Sequence, residues 1–62
     1  MIRHLDRYGL VLEEGDPVSV YGWEEMRGVF TGDHEYGLVR VAWSAGGPSF
    51  ERPGDLVKVA DR

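Results

Sequence analysis

From Gly15 to Val59 the chain is cut into short apolar stretches by glycine, proline and acidic residues. Glu13-Glu14-Gly15-Asp16-Pro17, Gly32-Asp33-His34-Glu35, Ala45-Gly46-Gly47-Pro48 and Pro53-Gly54-Asp55 all carry turn chemistry. Between them lie segments of strand length, several with period-two alternation. Short strands at this spacing specify an all-β barrel or sandwich rather than a helical bundle. With only 62 residues available, one domain is the limit. A five-stranded small barrel is the architecture that fits.

The strands read in order. Val18-Ser19-Val20-Tyr21 follows Pro17, with Val18 and Val20 inward and Ser19 and Tyr21 outward. Gly22-Trp23-Glu24-Glu25 breaks the alternation and reads as a loop. Met26 to Thr31 is a second strand with Val29 as its core position, and Gly28 within it signals a bulge. Gly32-Asp33-His34-Glu35 is the next turn. Tyr36 to Ser44 is the clearest strand, with Val39, Val41 and Trp43 on one face. Ser49-Phe50-Glu51-Arg52 is the fourth. Pro53-Gly54-Asp55 predicts one turn of 3₁₀-helix before a closing strand, Leu56-Val57-Lys58-Val59.

Residues 1–14 form an arm ahead of a barrel at 15–60. Ile2, Leu5 and Tyr8 suit one face of a helical turn ended by Gly9, and Leu10-Val11-Leu12 looks extended. So many apolar side chains predict that the arm packs on the barrel. A chain this small is marginal in core size, and with no cysteine it has no disulfide to compensate. Self-association through Trp23 or the arm would add buried surface.

The residues resemble a known group of folds. Gly15-Asp16-x-Val18, Gly28-Val29, Gly37-x-Val39-x-Val41-x-Trp43, Phe50 and Pro53-x-x-Leu56-Val57 are similar to the SH3-like small barrels, which include SH3, KOW and Tudor domains. The resemblance spans Leu12 to Ala60 and implies fold more than function. Gly15-Asp16-x-Val18 and Glu35-Tyr36-Gly37 are also similar to type II dihydrofolate reductases. That family's Val-Gln-Ile-Tyr catalytic segment is replaced here by Pro48-Ser49-Phe50-Glu51-Arg52, so its activity does not carry over.

The functional expectation is a non-catalytic protein-interaction module. Aromatic residues at strand ends bind proline-rich or cationic segments in SH3 and Tudor domains, which points to Tyr21, Trp23 and Tyr36 with the acidic neighbours Glu24 and Glu25. Trp43 and Phe50 read as caps on the core. A small acidic barrel of this type suits a phage-encoded or bacterial accessory protein. The alternative is a nucleic-acid-associated barrel of the KOW or Tudor type, using Arg27, Arg40 and Arg52. A net charge of −4 weighs against it. Parity weighs against it as well: Arg27 shares the phase of Val29, whereas Arg40 opposes Val39 and Val41, and salt bridges to Glu25, Glu51 or Asp55 are the plain reading. No catalytic residues, cofactor or metal site are expected. Ser19, Ser44 and Ser49 lack a nucleophile motif. His4 and His34 stand far apart, and His34 reads as a solvent-exposed turn residue. The absence of a long apolar run predicts a cytoplasmic protein with no membrane span.

Overall fold

The computed structural model describes residues 3–59. Ile2 and Ala60, named above for the arm and for the end of the barrel, lie outside the described residues. Five strands form one antiparallel sheet: β1 (Pro17–Val20), β2 (Trp23–Glu35), β3 (Leu38–Trp43), β4 (Ser49–Glu51) and β5 (Leu56–Lys58). Their order is β4-β3-β2-β1-β5, so β4 and β5 are the two edges and the sheet is not closed. Strand β2 holds it together, pairing with β1 from Trp23 to Val29 and with β3 from Gly28 to Glu35. The expected 3₁₀ turn, Pro53–Asp55, precedes β5.

The core is Leu12, Val18, Phe30, Val39, Val41, Trp43 and Leu56, with Val20 and Met26 packed against it. Val39, Val41 and Trp43 point inward as their alternation predicts. The buried Trp43 indole donates to Ser49 Oγ at 2.8 Å, and that hydroxyl donates to Glu51 Oε2 at 2.7 Å, which satisfies the ring nitrogen and ties β3 to β4. Phe50 does not cap the core. It is 41% exposed, because β4 turns Ser49 and Glu51 toward the inner side.

Strand β2 departs most from expectation. Val29 is 42% exposed, and Phe30 takes the core position instead. Gly28 sets this phase. It is buried opposite Trp43, and a Cβ there would lie 2.6 Å from Val41 Cγ1 and 2.7 Å from Trp43 Cε3. Gly28 is therefore a close-packing position, not the bulge. The irregularities fall between Ser19 and Val20 on β1 and between Phe30 and His34 on β2, the latter at Gly32 with φ 94°.

Trp23-Glu24-Glu25 belong to β2 rather than to a loop, because Tyr21-Gly22 alone reverses the chain. Residues 32–35 also continue β2. The reversal comes one step later, at Tyr36 (φ 53°) and Gly37 (φ 79°). Two successive positive φ values between the paired Glu35 and Leu38 make the tight hairpin turn whose twist matches the flanking strands.

The arm contains no helix among the described residues. Leu5 bridges Val11, and the chain between them turns around Asp6. The Asp6 side chain accepts from Tyr8 N and Leu10 N at Oδ1 and from Lys58 N at Oδ2, at 2.8–2.9 Å. Arg7 N donates to Leu56 O at 2.8 Å. The arm thus satisfies the outer edge of β5, the kind of exposed edge that otherwise invites pairing with another chain. Leu12 is buried, whereas Leu5, Tyr8 and Leu10 stay about half exposed or more, so backbone pairing and one carboxylate anchor the arm more than its apolar side chains do.

Two outcomes follow. Gly28→Ala forces Val41 or Trp43 to move, and we expect a loss of about 1–3 kcal/mol. Thermal unfolding should show a midpoint about 4–8 °C lower per kcal/mol for a domain of this size; an unchanged midpoint would refute the packing role. For Asp6, burial alone would raise the carboxyl. The backbone donors of Lys58, Leu10 and Tyr8, with the Lys58 charge, outweigh it and hold the group below its ordinary value. A folded-state value below the unfolded one contributes stability above about pH 4, and that stability is lost as pH falls through the folded value. Urea melts from pH 7 to pH 2 should show this acid loss in the native chain and a flatter profile in Asp6→Asn.

Candidate functional site

The register places Val57, Ser19 and Arg27 side by side across β5, β1 and β2. This row faces away from the core and floors an open groove of about 420 Å³. Ser19 is 4% exposed, so the expected outward direction holds without the expected solvent access. Its hydroxyl makes no hydrogen bond among the described residues. Tyr21 shares the parity of Ser19 and rises at the end of β1, where its N–H donates to Asp55 O at 2.8 Å. Tyr8 meets Tyr21 edge-on, with centroids 6.5 Å apart. The Arg7 guanidinium lies 3.9 Å from the centre of the Tyr21 ring. Such a contact stabilises by about 0.5–1 kcal/mol at an exposed site. Val20, Gly22, Glu24, Val59 and Lys58 complete the lining. The Lys58 ammonium is committed, donating to Val11 O at 2.9 Å and lying 3.1 Å from Asp16 Oδ2.

Of the residues expected to bind protein, Tyr21 and Glu24 line this groove. Trp23, 57% exposed, and Glu25 stand beside it on the first residues of β2. Tyr36 is 94% exposed but lies past the far end of β2, in the β2–β3 turn, and is not part of the groove. Sequence reasoning missed Arg7, Tyr8 and Val57. The signal available was Asp6 followed by Gly9, a pairing that favours a side-chain-capped turn over a helix. That turn carries Arg7 and Tyr8 to the Tyr21 ring.

The arginines also stand differently from expectation. Because Gly28 and Phe30 face inward, Arg27 and Val29 face outward, on the same side as Arg40, Ala42 and Phe50. The parity mismatch does not exist. Arg27 Nε donates to Glu24 O at 2.8 Å, and Arg40 Nη1 lies 3.6 Å from Asp33 Oδ2, the Arg40 and Asp33 side chains being 41% and 63% exposed. These partners replace the expected Glu25, Glu51 and Asp55. An exposed pair of this kind contributes little to stability. Arg52 is exposed and sits just before the 3₁₀ turn rather than on β4. Ser44 bonds Arg27 O through both its N–H and its hydroxyl. Arg27 is therefore about 13 Å along β3 from Arg40.

His34 lies in β2 and not in a turn, and its ring meets that of His4. Among the described residues no helix is long and apolar enough to cross a membrane. No family model, curated protein or solved structure matches the chain.

Proposed function

We propose that this chain is an SH3-like barrel serving as a non-catalytic module that holds an extended, proline-rich peptide of a protein partner. The strand order, the long β2 shared by both halves of the sheet and the 3₁₀ turn before β5 support the fold assignment. The groove walled by Tyr8 and Tyr21 is the observation that carries the functional reading. Aromatic faces bind polyproline helices because the ligand is already extended and loses little entropy on docking. Glu24 at the groove and Glu25 beside it on β2 supply charge for a basic residue of the ligand, and the exposed Trp23 is placed to cover one end of it.

Fluorescence anisotropy with labelled proline-rich decapeptides, with and without arginine, tests this reading. Saturable binding is expected, favouring the arginine-containing peptide. Tyr21→Ala should weaken it about tenfold or more, consistent with loss of an aromatic anchor. Binding that survives both Tyr21→Ala and Trp23→Ala would move the site elsewhere.

A second reading has one observation in its favour: Arg27, Arg40 and Phe50 share the outer side of β2, β3 and β4, and the exposed Arg52 follows directly after β4. Cationic side chains with an aromatic ring suit a single-stranded nucleic acid. Gel shifts with a short single strand should then appear at low salt and fade steeply as salt rises, with Phe50→Ala and Arg40→Ala each weakening them. No shift at low ionic strength would remove this reading.

A further inference from the structure

The arm and the end of β2 bring the two histidines of the sequence together. The ring centroids of His4 and His34 are 5.0 Å apart, with planes inclined at 53°. Both rings stand on fixed backbone. His4 O accepts from Leu12 N at 2.9 Å, and the adjacent Leu5 bridges Val11. His34 pairs with Val39, whose side chain is fully buried, so His34 stands on the inner side of β2 at its open end. Alternation sends Asp33 and Glu35 to the other side, and the Asp33 carboxylate is occupied by Thr31 and Arg40.

His4 Nε2 is closed off from solvent and has no hydrogen-bond partner. It is the one side-chain nitrogen or oxygen in that condition among the described residues. Buried polar atoms are nearly always paired, and an exception calls for a physical explanation such as an ion. The ring separation suits one. Two imidazoles bound to a tetrahedral ion at about 2.1 Å per bond have centroids about 5 Å apart.

We infer that His4 and His34 form a two-imidazole site for a divalent late transition ion of the zinc, nickel and copper class. Imidazole favours these ions over magnesium and calcium, which take oxygen ligands. Among the described residues no set of three or more His, Asp or Glu side chains is grouped for a metal, so the bound ion keeps open positions for water. The ion staples the arm to β2. It is independent of the peptide groove and of the arginine face.

The test uses the full chain and zinc sulfate, followed by NMR of the imidazole carbon-bound protons and the backbone amides. Saturable shifts at both His4 and His34 are expected, together with a thermal midpoint that rises with zinc concentration. Magnesium chloride should cause neither. His34→Gln, at an exposed position, should keep a dispersed amide spectrum and lose about a hundredfold in zinc affinity, because two ligands held on one frame act together. Absence of shifts in the native chain at millimolar zinc overturns the inference. So do shifts at His34 alone, equal shifts with magnesium, or undiminished affinity in His34→Gln.

Discussion

The missing side chain at Gly28 is the constraint on which the rest of this fold depends. In a core of seven buried apolar residues, Trp43 is the largest. Its ring can approach β2 this closely only where the facing residue has no Cβ. That contact sets the phase of the longest strand. Met26, Gly28 and Phe30 turn inward, and Arg27, Val29 and Thr31 turn outward. A one-residue slip would reverse every side chain along it. Val18 and Phe30 reach the core, and Arg27 reaches the surface that carries Arg40, as consequences of a single tight approach.

The second organising element is the carboxylate of Asp6. A sheet of five strands that does not close has two edges to protect. Short β4 lies between Pro48 and Pro53, and proline limits pairing at an edge. The edge of β5 is covered by the arm, through Asp6 at Lys58 and Arg7 at Leu56. The same turn that accomplishes this also delivers Arg7 and Tyr8 to Tyr21. The groove is therefore a by-product of edge protection, built from two segments distant in sequence.

Three surfaces lie along the course of β2. Its start stands beside the aromatic groove, its middle presents Arg27 and Val29 beside Ala42, and its end meets the arm at His34. Strand β2 pairs with β1 along its first half and with β3 along its second, so each surface rests on paired strand backbone. Rigid elements hold side chains in place better than loops do. Chemical diversity on a chain of this size comes from that long strand and from the arm folded against both of its ends.

Much of the fold was legible in the residues themselves. The alternation of Val39, Val41 and Trp43, the Gly46 hairpin and the Pro53–Asp55 turn are local properties, set by side-chain parity and permitted φ values. The outward direction of Tyr21 was legible because strand parity alone sets it. The phase of β2 was not legible. Valine and phenylalanine are adjacent at positions 29 and 30, both are apolar, and only the fit of Trp43 against Gly28 decides between them. The direction of Arg27 depended on the same choice. The arm reads as a helix or a turn until the edge of β5 supplies the N–H that Asp6 accepts. Sequence alone determined where the chain is extended and where it reverses, because those preferences act over a few neighbouring residues. Tertiary structure alone decided which face of β2 is buried and which distant residues meet, Tyr8 with Tyr21 and His4 with His34, because those outcomes depend on packing between segments that no local pattern relates.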